Sequence, residues 1–403
     1  MRIAQLANFH SPMSGGLRTA VEAVGRGYAA AGHDRVLIIP GPQEGRTQGP
    51  DGLLVRVRAP HVGAGYRVVA EPWRIHRLLD ELRPDVVEVS DKTTMTTAAG
   101  WARRRGARAV LFSHERLDAI LSPRLRRAQQ GGRLAGTTDR WTRSLARRFD
   151  TVVVTSRFAE EEFVRAGALV LGRVVRIPLG VDLATFVPSS VARPATAGPW
   201  SPTTTLASSR ASAVRPGVAR LVHAGRLSRD KEPELLVATL RELVARGRSV
   251  HLDIFGDGPQ RRELERAAAG LPVTFHGHVG GRAELALRLA AADVALTLCP
   301  GETFGLAVLE AMACGTPVVT ARTGGAGELV APDAGLAVTP RATAYADGVE
   351  VLLARPRALR VAAARARAEQ YPWARTVSAL LEVHTEVHPP GGSGPCLADP
   401  RAA

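Results

Sequence analysis

Three short segments carry residue types whose spacing suits an anionic, hydroxyl-rich ligand. In Glu302-Thr303-Phe304-Gly305-Leu306-Ala307-Val308-Leu309-Glu310, one carboxylate follows an apolar run and the second lies further along a helix-like stretch. At ~100° per residue, a continuous helix would separate the two side chains by about 80° and turn both toward one cleft. Equally, one carboxylate could merely offset a helix dipole while the second is solvated. In Gly225-Arg226-Leu227-Ser228-Arg229-Asp230-Lys231-Glu232-Pro233, a strand gives way to a helix. Arg226 and Lys231 at that junction would clamp a diphosphate from two sides, unless the loop is merely basic and solvated. Ser14-Gly15-Gly16 lies between the first strand and the first helix. Paired glycines let backbone N–H groups approach an anion at the positive end of a helix, and they equally suit a plain tight turn.

Other chemistry-bearing residues are sparser. His114 ends a strand-like run, where a catalytic group would stand. His276 and His278 fall on one face of a strand but lack a third ligand, so no metal site is expected. There is no GxSxG elbow and no DxD motif, which argues against a serine hydrolase and a metal-bridged nucleotide-sugar site. No motif requires Mg2+, and no tightly bound cofactor is expected. Lysine is nearly absent from the chain: Lys92 and Lys231 are the only two.

The elements that must position these residues read as alternating strands and helices. Strands are expected at Arg2–Ala7, Arg35–Pro40, Leu53–Arg58, Asp85–Val89, Ala107–Ser113, Thr151–Thr155 and Val174–Pro178. Helices are expected at Leu17–Ala31, Pro72–Leu82, Thr94–Arg105 and Arg157–Ala166. The alternation stops across residues 188–217, which are rich in Pro, Ser, Thr and Ala. It resumes with strands at Ala219–Ala224, Ser249–Phe255, Val273–His276, Val294–Leu298 and Pro317–Thr320, interleaved with helices that include Phe304–Ala313. This order predicts parallel βαβ units in two doubly wound domains. The expected division is a first domain over 1–187, a linker or insertion over 188–217, a second domain over 218–370, a helix over 371–388 and a tail over 389–403. Ligands of such sheets sit at the carboxyl ends of the strands, so the cleft between the domains is the expected site.

Composition agrees with a globular chain. The 403 residues are 45% hydrophobic and 23% charged, which excludes a disordered or collagen-like protein. Three cysteines without metal spacing suit reduced thiols in a cytoplasmic protein. The sequence shows no signal-peptide pattern and no long apolar span. The net charge of +15 is carried almost wholly by Arg. It suits an anionic membrane surface, with Arg103–Arg105 and Arg124–Arg127 as candidate contacts. Aromatics are only 4% and no RRM, KH or zinc pattern is present, so a nucleic-acid partner is not expected.

Taken together, the segments resemble retaining glycosyltransferases of family four with the GT-B fold, in which two Rossmann-like domains face across a cleft. The resemblance rests on Gly15-Gly16, residues 225–233, Phe255-Gly256-Asp257-Gly258-Pro259 and, above all, the run from Glu302 to Val319. It covers nearly the whole chain. Within the family, residues 14–28, 87–94, 113–118 and 177–186 are similar to actinobacterial mannosyltransferases that use GDP-mannose and act on phosphatidylinositol mannosides.

The resemblance implies roles for individual residues. Gly15 and Gly16 would approach the diphosphate, and Arg226 and Lys231 would neutralise it. Glu310 would bind the ribose and Glu302 the sugar hydroxyls, beside the helix start at Phe304, Gly305 and Leu306. His278 and Val279 would lie in the segment that holds the base. His114 would contact the donor sugar. The last helix would return to the first domain. A GDP-mannose donor, a glycolipid acceptor and peripheral contact with the inner face of the cell membrane follow from the same resemblance. Alternatives on the same fold are transfer from another nucleotide sugar, a soluble acceptor, or nucleotide-sugar epimerisation.

Overall fold

A computed structural model of the protein describes residues 1–11, 14–63, 65–117, 133–169, 173–189 and 217–386. The chain divides into two units: Met1–Gly180 together with the stretch from Trp373, and Val181–Pro372. Arg124–Arg127, Cys396, nearly all of the 188–217 segment and the tail over 389–403 lie outside the described residues.

The first unit runs β1 (Arg2–Leu6), α1 (Gly15–Ala30), β2 (Asp34–Gly41), β3 (Gly45–Gly49), β4 (Gly52–Arg58), β5 (His61–Gly63), β6 (Tyr66–Arg67), α2 (Pro72–Leu82), β7 (Val86–Val89), α3 (Ala98–Arg105), β8 (Arg108–Ser113), α4 (Arg133–Arg148), β9 (Thr151–Val154), α5 (Arg157–Arg165) and β10 (Arg173–Arg176). A 3-10 turn over Thr94–Thr97 leads into α3. The sheet order is β10-β9-β8-β7-β1-β2-β4-β3, parallel except for β3. β5 and β6 form a separate antiparallel pair.

Central strands are buried on both faces and read as apolar runs, as parallel sheets require. Gln5 is the exception on β1. It is fully buried and satisfied, donating to Glu88 Oε1 (2.9 Å) and accepting from Arg35 Nε (2.8 Å). Pro72 opens α2, where its missing N–H costs nothing.

The second unit runs β11 (Ala219–Ala224), α6 (Glu234–Ala245), β12 (Val250–Phe255), α7 (Arg261–Ala267), β13 (Val273–Gly277), α8 (Arg282–Ala290), β14 (Val294–Thr297), α9 (Leu306–Ala313), β15 (Val318–Ala321), α10 (Ala326–Leu329), β16 (Gly335–Val338), α11 (Ala342–Leu353) and α12 (Arg357–Ala368). Its sheet is wholly parallel, in the order β13-β12-β11-β14-β15-β16. The final helix, α13 (Trp373–Thr385), belongs to the first unit and packs on α1.

In each sheet the strand order reverses once at the centre, between β1 and β7 and between β11 and β14. Such switch points open crevices at the carboxyl ends of the flanking strands.

The observed division differs from the expected one at both joins. Residues 181–187 group with the second unit rather than the first, and Trp373 rather than residue 371 begins the return. Val181 N donates to Tyr371 O (2.8 Å), and Arg365 donates to Phe186 O (2.7 Å) and Leu183 O (3.3 Å). These bonds tie the crossing strand of chain to α12 and its end. Among the described residues, no helix is long and apolar enough to cross a membrane.

Candidate active site

The second unit gathers most of the singled-out residues at its switch point. After β11 the chain turns through Gly225 and Arg226 into a 3-10 turn over Arg229–Lys231. This loop lies directly on the loop after β12. A Cβ at Gly256 would stand 1.8 Å from Gly225 O, and Gly256 has φ +143°, so only glycine fits there. Leu227 N donates to Asp257 O (3.0 Å), fixing the two loops together.

Lys231 Nζ meets Glu302 Oε2 at 2.7 Å, across the gap between the β11 and β14 loops. Burial alone would lower the pKa of Lys231, but the carboxylate of Glu302 outweighs it and the net shift is upward. Arg226 is exposed and pairs with Asp230 (3.1 Å) on the same turn. Behind them, Cys299 Sγ contacts Asp230 O (3.3 Å), and burial pushes its thiol up to about 11. That thiol is therefore a neutral filler, not a nucleophile.

Glu302 does not lie on the helix that carries Glu310. Gly305 takes φ +104° and caps α9, so the helix begins at Leu306 rather than Phe304, and the 80° separation expected for one continuous helix does not apply. Gly305 accommodates the bend because a Cβ there would stand 3.0 Å from the Ala326 Cβ. Phe304 is buried beneath the bend. The N-cap of α9, Gly305, has no side chain to cap it and the first turn holds no acid, so no carboxylate of the helix itself would compete with an anion at its N-terminus.

Glu310 is buried one turn in and pairs with Arg282 Nη2 (3.1 Å). Burial pushes its carboxyl up, and Arg282 pulls it partly back. The Arg282 guanidinium also lies 4.9 Å from the centre of the Phe186 ring. Arg282 is a site residue that sequence reading missed, because one more arginine after Gly280-Gly281 carries no signal in an arginine-rich chain.

His278 and Val279 occupy the loop between β13 and α8, at the sheet's edge, two strands from β11. Strand β13 ends at Gly277, so His276 and His278 do not share a strand face. His276 instead stacks on Phe255 (4.5 Å) and bonds Asp253 (2.7 Å). Among the described residues, no three His, Cys, Asp or Glu side chains converge as a metal site would need.

In the first unit, Gly15 and Gly16 form the exposed first turn of α1. Ser14 Oγ turns back to Ser11, so no side chain caps the helix. His114 follows β8 and lies against Phe112, with ring centres 4.2 Å apart. Its Nε2 is buried and finds no hydrogen-bond partner among the described residues, and burial pushes the imidazole down to about 4.

Comparison with known proteins fits this geometry. Residues 15–180 match the glycosyl transferase 4-like domain, and residues 219–355 match the glycosyl transferases of group 1. A relative from Mycobacterium tuberculosis is 41% identical over 94% of this chain and 95% of its own length. It is named a GDP-mannose-dependent alpha-(1-6)-phosphatidylinositol dimannoside mannosyltransferase.

The chain belongs to the family-four glycosyltransferases.

This glycosyltransferase is also 36% identical to a D-inositol 3-phosphate glycosyltransferase of Xylanimonas cellulosilytica, over 59% of the chain and 57% of that protein. Among solved structures, the glycosyltransferase resembles sucrose-phosphate synthase from Thermosynechococcus elongatus. That match has a TM-score of 0.73, 23% identity, and coverage of 95% of this chain and 98% of the other. HepE of Anabaena, in complex with UDP-glucose, matches with a TM-score of 0.69 and 21% identity over 95% and 99% of the two chains. These neighbours give the glycosyltransferase its fold, GT-B.

Proposed function

We propose that this glycosyltransferase moves mannose from GDP-mannose to a phosphatidylinositol mannoside, with retention at the anomeric carbon. The observation that carries the reading is the 41% identity to the mannosyltransferase named above, which spans both units. Transfer breaks the bond between the sugar and the phosphate, and negative charge grows on the departing GDP. Lys231, Arg226 and the start of α9 stabilise that charge as preorganised electrostatics. Glu310 holds the ribose and Glu302 the mannose hydroxyls. The loop of His278 and Val279 holds the base. In the first unit, Gly15 and Gly16 approach the diphosphate and His114 contacts the sugar. No carboxylate is assigned as a covalent nucleophile. The acceptor hydroxyl attacks from the face that GDP leaves, and a phosphate oxygen takes its proton.

Because the cations at the diphosphate belong to the chain, transfer proceeds without Mg2+. The acceptor's lipid is met by peripheral contact with an anionic membrane on its cytoplasmic face. Arg103–Arg105 at the exposed end of α3 support that contact. Nucleic acid is not a partner in this reading.

The test is radiolabelled GDP-mannose incubated with anionic vesicles that carry the acceptor, with products identified by mass, in the presence and absence of EDTA. A product one hexose heavier, unaffected by EDTA and diminished by high salt, is expected. Transfer from UDP-sugars alone would overturn the donor assignment. Lys231→Ala should slow transfer by roughly 30- to 1000-fold, as expected for a charge-assisted contact worth about 2–4 kcal/mol in the transition state.

A further inference from the structure

The first unit has its own pairing across its switch point, made by neighbours on one loop. After β7, Ser90, Asp91 and Lys92 are all buried. Asp91 faces the loop after β1: its Oδ2 accepts from Asn8 N (3.2 Å) and its Oδ1 from Asn8 Nδ2 (3.4 Å). Asn8 begins the segment that leads to Gly15 and Gly16. Lys92 points the other way and meets Glu162 Oε2 at 2.7 Å, with both side chains at most 3% exposed. The second oxygen, Glu162 Oε1, accepts from Thr142 Oγ1 (3.1 Å) and from Leu117 N (3.3 Å). Leu117 closes the loop that carries His114. Arg116, beside it, donates to Phe158 O (2.7 Å) on the same helix as Glu162.

We infer that the loop after β7 is a two-armed brace: Asp91 sets the loop leading to Gly15 and Gly16, and Lys92, acting through Glu162, sets the loop of His114. Asp91 and Lys92 are positioning residues, since neither is placed against substrate. The identity of Lys92 carries the argument. Nearly every cation in this chain is Arg, yet one of its two lysines is buried here. An ammonium is a point donor that engages one carboxylate oxygen, whereas a guanidinium takes both in a fork. Glu162 needs its second oxygen for Thr142 and the Leu117 amide, so only a point cation leaves the brace intact. Breaking the pair on one side would strand a buried charge, so loss of either partner alone would confuse function with folding.

The inference rests on the reading that His114 faces the transferred sugar. Its test therefore uses two variants and one readout independent of transfer. Lys92→Arg keeps the charge but presents the fork. The double variant Lys92→Met with Glu162→Leu removes both charges at similar volume. Both are expected to keep a cooperative melt and parental GDP affinity by calorimetry, while kcat falls roughly tenfold or more, the scale of a misplaced catalytic loop. The share of GDP-mannose lost to water rather than to acceptor should rise, because a loosened loop admits solvent. A stabilising but non-positioning pair would lower the melting temperature and leave that partition unchanged, which would overturn the inference. The Leu117 amide should also exchange faster with deuterium in Lys92→Arg than in the parent. That measurement stands even if the parent transfers no mannose, an outcome that sinks the donor reading alone. Parental protection at Leu117 sinks the brace.

Discussion

The imidazole of His114 costs stability in acid, and the sign follows from its burial. Its folded pKa is pushed down to about 4, against ~6.5 in an unfolded chain. Between these values the unfolded state holds more protons, so stability falls as pH drops, by at most about 1.4 kcal/mol per pH unit. His114→Asn should remove that component. Denaturant midpoints at pH 7 and pH 4.5 should therefore lie closer together in the variant than in the parent. At Glu310 the balance is between burial, which raises its pKa, and Arg282, which lowers it, with Asp182 adding a further upward push. Arg282→Met leaves burial and Asp182 unopposed, so the carboxyl protonates at a higher pH. If Glu310 holds the ribose, GDP affinity should begin to weaken on acidification at a higher pH in this variant than in the parent. Calorimetry with GDP across a pH series for both proteins checks it.

At the scale of elements, α1 and α13 meet where a side chain is missing. A Cβ at Gly27 would stand 2.3 Å from Val377 Cγ2, so the glycine lets the two helices approach. Gly27→Ala should overpack the contact at a cost of about 1–3 kcal/mol, and adding Val377→Ala should recover most of it. Thermal melts of the single and double variants decide this; a Gly27→Ala protein as stable as the parent would show that the helices shift freely. The strand Ala219–Ala224 and the helix α2 were legible in sequence and fall where the short apolar-rich run and Pro72 put them. Strand β3 was not, since Gly-Arg-Thr-Gln-Gly carries no apolar alternation and is held at the sheet edge by pairing with β4. Helix α4 was also missed, because its run of polar and basic residues reads as a solvated loop until one face is seen packed on α5. In the site, Lys231 and Glu302 were legible by type and position. Their contact was not, because it joins strands β11 and β14, which lie far apart in sequence and adjacent in the sheet.

The whole molecule is not two halves laid end to end, because the first unit is completed by the last described helix. Helix α13 brings His384 to a fully buried Glu88, whose carboxylate also accepts from Tyr28 (2.7 Å) and Gln5 (2.9 Å). A chain ending at Pro372 would lose the His384 contact and expose the surface that Val377, Leu380 and Val383 now cover. Leaving a buried carboxylate short of a hydrogen-bond partner costs about 1–3 kcal/mol or more, before the lost apolar cover is counted. That truncation should therefore unfold the first unit at a far lower temperature while GDP still binds to the second. A single melting transition unchanged from the parent would refute this. The same closure has a consequence during synthesis. As the chain leaves the ribosome, Tyr28 and Glu88 emerge early and His384 emerges last. At about 5–20 residues per second, the first unit waits roughly ten to forty seconds after Gly180 for its final helix. Through that interval the second unit is itself being made, while the face of α1 around Gly27 that α13 will cover stands open to chaperones or to a neighbouring nascent chain.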